Sequence, residues 1–338
     1  MTTTLVIRLS SMGDVAISIP VLYSIASKYP SDNFILLTQN TLISLFIEKP
    51  TNLTVIPVYT KGKHKGIAGL INLLRELAPL LRGNKVKVAD LHGVLRSFFI
   101  DSYFWLRGNQ VAIIDKGRKE KQELIGGKNR KKLQLKTTLD RYRDVFEKLH
   151  YNSSLSFAGL FSEKPVNKQI RIGIAPFAKH QGKAYSLNLM EDVVRRLSES
   201  NNYQIVLFSS KAESEILKPW ENAHKNVTLV EGKMSLHEEL ILMNQMDLML
   251  SMDSANMHLA SLVSTPVISI WGATHPYAGF YGFNQDESNI IQIDNLPCRP
   301  CSIFGNKPCS RNDYACLTQI TPDMIINKIR NYFTQRMA

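Results

Sequence analysis

The sequence predicts an α/β protein of two doubly wound domains facing each other across a cleft. Three observations carry this. Short apolar runs alternate with stretches of helical periodicity along the whole chain, the pattern of βαβ units and parallel sheets. The series restarts near residue 165, after the polar, Pro-containing stretch SEKPVNKQ (162–169). At 338 residues the chain also exceeds what one ordinary core organises. The expected domains are 1–164 and 165–320, followed by a final helix (321–338) that packs back on the first domain.

In the first half, strands are expected at 4–9, 33–38, 53–57, 87–90 and 110–114, with helices at 15–28 and 67–81. In the second, strands are expected at 171–175, 204–208, 227–229, 248–251 and 267–271, with helices at 188–200 and 236–245 and a last one at 323–334. Sheets of this kind bind ligands outside the carboxyl ends of their strands, so residues just after each strand are the candidates for function.

The first such place is LVIRLSSMGDVAISIPVL (5–22): a buried strand, a turn of small residues, then a helix. Asp14 stands where strand gives way to helix. It serves either as a first-turn acid that caps the helix or as a carboxylate at the ligand edge. The second place is LSMDSANMHLASLVSTPVISIWGATHPYAGFYGFNQ (250–285). Asp253 and Ser254 open a helix that carries His258, and the next strand ends in Gly272-Ala273-Thr274. Free N–H groups at a helix start suit phosphate, and a carboxylate beside them suits a sugar hydroxyl; His258 by itself fits a structural role equally well. The third is GIAPFAKHQGKAYS (173–186), where Lys179 and Lys183 lie over a strand end and two lysines can neutralise a diphosphate. The glycine spacing is not that of a P-loop, and no GxGxxG follows the first strand, which argues against a dinucleotide-dependent dehydrogenase.

The formal net charge of +12 is confined to one half: residues 1–160 hold 24 Lys and Arg against 12 Asp and Glu, whereas 161–338 hold 17 of each. It clusters in KGKHK (61–65), at Arg118, Lys119 and Lys121, and in KNRKK (128–132). This is either a solvated surface or a face for an anionic partner: nucleic acid, an acidic membrane surface or a phosphorylated acceptor. The basic runs hold no aromatic residues, which argues against nucleic acid. No apolar run reaches the length of a membrane span, and Arg8 interrupts the first apolar stretch, unlike a signal peptide; the expected location is cytoplasmic. The four cysteines, Cys298, Cys301, Cys309 and Cys316, are spaced C-x2-C-x7-C-x6-C. They read as a structural zinc site or as unliganded thiols.

Taken together and in order, SSMGDV, DLHGVLRS (90–97), PFAKHQGKAYS, GKMSL (232–236), DSANMHLA (253–260) and WGATHPYAGFYGFNQ resemble the motifs of the bacterial lipopolysaccharide heptosyltransferases, glycosyltransferase family 9, the last being nearest the heptosyltransferase I form. The resemblance runs from Leu5 to about the end of the chain. It implies a GT-B fold of two Rossmann-like domains and inverting transfer of heptose from ADP-heptose, or of a related nucleotide sugar, to the Kdo or heptose of an anionic Kdo-lipid A type acceptor, with no cofactor for catalysis and no nucleic-acid partner. It implies Asp14 as catalytic base, Lys183 at the diphosphate, Glu213 near the ribose, Met234 at the adenine, and Asp253, Ser254, Ala255, His258 and Thr274 around the sugar and phosphates.

The chain departs from the family pattern at Pro176-Phe177, Ala178-Lys179, Tyr185-Ser186 and Ala255, with Lys179 replacing hydroxyl donors; this bears on which nucleotide sugar is used. An anionic acceptor at the inner membrane gives the basic half a purpose. Lys61, Lys63, Arg96, Lys128, Arg130, Lys131 and Lys132 are the candidates for holding it, with peripheral contact at the cytoplasmic face of that membrane. Two other readings are a family member that binds nucleotide but has lost transfer, and a nucleic-acid-binding protein with a zinc knuckle.

Overall fold

The computed structural model describes residues 2–81, 85–126, 132–230 and 232–337. Strands β1 (Thr2–Ile7), β2 (Asn33–Gln39), β3 (Leu53–Val58), β4 (Lys85–Asp90) and β5 (Gln110–Ile113) form a parallel sheet in the order β3-β2-β1-β4-β5. The order reverses between β1 and β4, where Ile7 pairs with Asp90. Helices α1 (Met12–Lys28), α2 (Gly66–Leu81), α3 (Leu95–Trp105), α4 (Arg118–Leu124) and α5 (Thr138–Lys148) accompany it. Leu73, Leu74 and Leu77 of α2 and Ile100 and Phe104 of α3 cover Leu5, Ile7, Leu37 and Val88 of the sheet. Right-handed crossovers that run in opposite directions along the sheet, β1 to β2 through α1 and β3 to β4 through α2, put α1 on the other face, where it packs with α5. Burial of α1 from Val15 through Ala26 explains why it is apolar all round.

The second sheet contains β6 (Ile170–Ala175), β7 (Tyr203–Phe208), β8 (Val227–Val230), β9 (Leu248–Met252), β10 (Val267–Ile270) and β11 (Ile290–Ile291), again all parallel, in the order β11-β10-β9-β6-β7-β8. Its helices are α6 (Leu187–Ser198), α7 (Lys211–Ala223), α8 (Leu236–Asn244), α9 (Ala255–Leu262), α10 (Ala315–Thr318) and α11 (Pro322–Met337). The expected strands are all present. β11 was not foreseen, because two residues carry no periodicity.

The chain forms two compact units: one runs to Arg118 and resumes at Lys136–Leu160, the other comprises Lys119–Leu135 and everything from Phe161 on. Two sequence expectations change. Lys119–Leu135 joins the second unit because Leu124, Ile125 and Leu135 cluster with Tyr277, Ala278, Phe280 and Ile303, and the Leu135 N–H donates to the Tyr277 carbonyl at 2.9 Å. The final helix, expected on the first domain, instead buries Ile325, Ile326, Ile329 and Phe333 in the second unit's own core, and its Asp323 pairs with Arg196 of α6. None of the helices among the described residues is long and apolar enough to cross a membrane.

Candidate active site

In the first unit, the polar residues gather where the strand order reverses. Arg8 leaves β1 almost fully buried, at 6% exposure. Its Nη1 donates to the Leu91 carbonyl at 2.7 Å, its Nη2 pairs with Asp14 Oδ2 at 2.5 Å, and its guanidinium lies 5.7 Å from the centre of the Tyr142 ring. Asp14 is the third residue of α1. Its Oδ2 also accepts from the Ser11 N–H (3.3 Å) and hydroxyl (2.8 Å), completing a capping box. The Tyr142 hydroxyl donates to the Asp14 carbonyl at 3.2 Å. The helix-cap role is therefore realised, and the same carboxylate keeps 28% of its side-chain surface open to solvent.

Across the switch point, the buried Asp90 carboxylate accepts from the N–H groups of His92 (2.7 Å) and Gly93 (2.9 Å), fixing a turn in which Gly93 holds φ at +57°. Burial, together with the neighbouring Asp90, pushes the Asp101 carboxyl of α3 up to about 8, so this acid pair retains a proton at neutral pH. Burial, with Arg8 close by, drives His92 down to about 4 and keeps its imidazole neutral. Burial and the adjacent Arg118 and Arg8 lower Lys116 in the same way. The motif DLHGVLRS thus builds the wall beside Asp14.

In the second unit, three adjacent strand ends meet. β9 lies between β6 and β10, with Ala175 opposite Ser251 and Ile270 opposite Met252. The loop after β6 brings Lys183, the turn after β9 brings Asp253, and the turn after β10 brings Thr274. Lys183 Nζ lies 2.8 Å from Asp253 Oδ2, and the Thr274 hydroxyl donates to the same oxygen at 2.7 Å. Ser254 is the N-cap of α9, Ala255 its first residue, and His258 lies buried in its next turn. Close packing of backbone makes this possible: Ala273 N–H donates to the Gly182 carbonyl at 2.7 Å and Gly182 N–H to the Gly305 carbonyl at 3.2 Å.

Sequence reasoning missed Arg299, which is 2% exposed and organises this edge. Its guanidinium donates to the carbonyls of Gly272, Ile293 and Thr274 and to Gln292 Oε1. Burial lowers it to about 10. A lone arginine in a cysteine-rich loop gives no sequence signal, and only the folded loop shows its partners. Arg8 was noted only as a break in an apolar run.

Glu213 is occupied as the capping-box acid of α7, accepting from the Ser210 N–H at 2.9 Å and hydroxyl at 2.7 Å. Met234 lines a groove of about 510 Å³ with Val206, Leu229, Val230 and Leu242. Lys179 is exposed on its loop. Lys63 pairs with Glu76 at 2.8 Å and lies over the Tyr59 ring, Lys61 is exposed in the same turn, and Arg96 is half-buried in the first turn of α3. Lys128, Arg130 and Lys131 fall outside the described residues. Lys132, assigned from sequence to the first domain, belongs to the second unit. Of the two readings of Cys298, Cys301, Cys309 and Cys316, the structural zinc site is not supported: among the described residues no three His, Cys, Asp or Glu are grouped so as to hold a metal. Cys316 is buried, which raises its thiol to about 11; Cys298, Cys301 and Cys309 are half-buried, and none of the four is in a disulfide.

Two parallel, doubly wound sheets, each with a polar cluster at its strand ends, are the architecture of the GT-B fold. Residues 111–308 match the family model described as glycosyltransferase family 9 (heptosyltransferase), and the chain belongs to that family. It is 23% identical over 337 residues to lipooligosaccharide heptosyltransferase 2 of Campylobacter jejuni serotype O:6, covering 96% of each chain. Its fold is similar to that of a family 9 glycosyltransferase from Veillonella parvula (TM-score 0.77, 18% identity, 99% and 98% coverage). It is also similar to the fold of E. coli heptosyltransferase WaaC with ADP-2-deoxy-2-fluoro heptose (TM-score 0.68, 18% identity, 98% and 100% coverage).

Proposed function

We propose that the protein transfers heptose from ADP-heptose to the Kdo or heptose inner core of a lipopolysaccharide acceptor, with inversion and without a metal in the chemical step. The observation that carries this reading is the Lys183–Asp253–Thr274 cluster at three adjacent strand ends of a family 9 chain. An ammonium and a helix N-terminus beside it supply positive potential for a diphosphate, and a carboxylate with a hydroxyl suits a sugar.

In this mechanism an acceptor hydroxyl attacks the anomeric carbon as the bond to the diphosphate breaks. The Asp14 carboxylate takes the hydroxyl proton. ADP leaves as an anion, so no second carboxyl is needed to protonate it, in contrast to glycoside hydrolysis. Lys183 and the N–H groups at the start of α9 stabilise the charge that develops on the leaving phosphate. Arg8 holds the Asp14 carboxylate in place through its ion pair, and the proton that burial beside Asp90 keeps on Asp101 removes one negative charge from the same wall.

The test is transfer from ADP-heptose to Kdo-lipid A by the native protein and by Asp14→Asn. Product from the native protein alone, with ADP affinity kept in the variant, supports the reading. Equal activity in both reduces Asp14 to a helix cap. No product from either moves the search to other nucleotide sugars and acceptors.

A further inference from the structure

Helix α3 carries an apolar face that its own unit leaves uncovered. Leu95, Phe98, Trp105 and the helix C-cap Leu106 are exposed at 88, 60, 67 and 74%. At 100° per residue they fall within one stripe, with Ser102 between them. The opposite face, Ser97, Ile100, Asp101 and Phe104, is buried against the sheet. One flank of the stripe is cationic: Arg96 and Arg107 lie eleven residues apart on the same side, and the Arg107 guanidinium stacks 3.7 Å from the centre of the Tyr103 ring. Neither arginine is paired with a carboxylate among the described residues. The one acid of α3, Asp101, is buried, so the outer surface of the helix carries no negative charge.

Large aliphatic and aromatic side chains on one stripe, a tryptophan among them, flanked by arginines that can snorkel, make a face suited to the boundary between headgroups and acyl chains. A protein partner would leave the purely cationic flank and the basic surplus of residues 1–160 unexplained, whereas an anionic lipid surface matches both. We infer that α3 is a membrane-docking helix, its Leu95, Phe98, Trp105 and Leu106 face lying in the interface of an anionic bilayer with Arg96 and Arg107 at the headgroups. Because α3 starts directly after the turn at residues 90–93, docking sets the wall beside Asp14 next to the lipid surface. The consequence for a lipid-borne acceptor rests on the proposed function; the docking itself does not.

The experiment uses the full-length protein with vesicles of phosphatidylcholine alone and of phosphatidylcholine with phosphatidylglycerol, read by flotation and by tryptophan emission. Trp220 and Trp271 are buried, so a blue shift and quenching by brominated acyl chains report Trp105. The expected result is flotation with the anionic vesicles, weakened by salt, with a blue shift. Leu95→Ser/Phe98→Ser/Leu106→Ser weakens binding by roughly tenfold or more. Arg107→Glu does so by about tenfold. Both variants keep the native melting temperature, because these side chains are exposed.

Absence of flotation, or flotation equal in the variants, overturns the proposal. So does a native dimer that the serine variant converts to monomer without any vesicle binding. Transfer to a water-soluble acceptor fragment separates the two readings. If the serine variant retains it and loses transfer to vesicle-borne acceptor, docking is supported. If the native protein floats but transfers nothing, docking stands and the proposed reaction falls.

Discussion

The Lys183 ammonium sits 2.8 Å from Asp253 Oδ2, with 15 and 4% of the two side chains exposed. The residue expected to meet the donor's diphosphate is thus held at its strand end by a buried carboxylate. Lys183→Ala leaves that carboxylate without its cation, which costs about 3 kcal/mol. It also raises the Kd for ADP roughly ten- to hundredfold. Adding Asp253→Asn recovers most of the stability and none of the affinity. Urea unfolding and calorimetric ADP titration measure the two effects, and a double variant no more stable than Lys183→Ala would show that the pair does not couple.

Asp14→Asn keeps an oxygen that accepts from Ser11, so α1 remains capped. Turnover falls by roughly 10² to 10⁴, while the Kd for ADP stays within about twofold. Single-turnover transfer beside ADP titration separates loss of a base from loss of fold.

The Asp90–Asp101 pair gives stability a pH dependence of known sign. Burial and Asp90 raise Asp101 from 3.8 to about 8 in the folded protein. The folded chain thus keeps a proton that the unfolded chain releases. This contribution is complete below about pH 4 and is lost as pH climbs through 8, by up to ~1.4 kcal/mol per pH unit. His92 and His275, both pushed down to about 4 by burial, act in the opposite direction and only below their ordinary 6.5. The interval from pH 6.5 to 8 therefore isolates Asp101. Native urea midpoints decline across it. Those of Asp101→Asn, which has nothing to titrate at this position, stay level; a parallel decline in both would refute the assignment.

Gly305 tests the packing of the Lys183 loop. Its φ is +73°, and a Cβ there would lie 2.6 Å from Lys183 Cγ; Gly66 has φ of +67° with nothing within 4 Å of such a Cβ. Alanine at either position costs about 1 to 2 kcal/mol of backbone strain, but only Gly305→Ala displaces Lys183. ADP affinity therefore drops in Gly305→Ala and is unchanged in Gly66→Ala.

Much of the fold was legible because buried parallel strands and their helices leave period-specific apolar patterns. Even the edges of β6, β9 and β10 could be read, and with them the positions of Lys183, Asp253 and Thr274. The final helix and the segment Lys119–Leu135 were misassigned because amphipathicity says that a face is buried and not against what. Arg299 and Arg8 escaped notice for a related reason. Their value lies in carbonyls and carboxylates brought from distant positions, such as the link of Arg299 to Gly272 or of Arg8 to Leu91.

By itself, then, the sequence determined the alternation of strand and helix, the two parallel sheets, the family and the residues at the strand ends, all of which follow from local periodicity and ordered motifs. Tertiary structure alone decided the partners: that Asp14 is both cap and ion-pair partner of Arg8, that Asp101 is buried beside Asp90 and keeps its proton, that the cysteines hold no metal-binding arrangement among the described residues, and that α3 keeps an apolar face outward. Charge pairing, desolvation and exposure depend on which groups meet in space, and that is set by long-range packing rather than by neighbours along the chain.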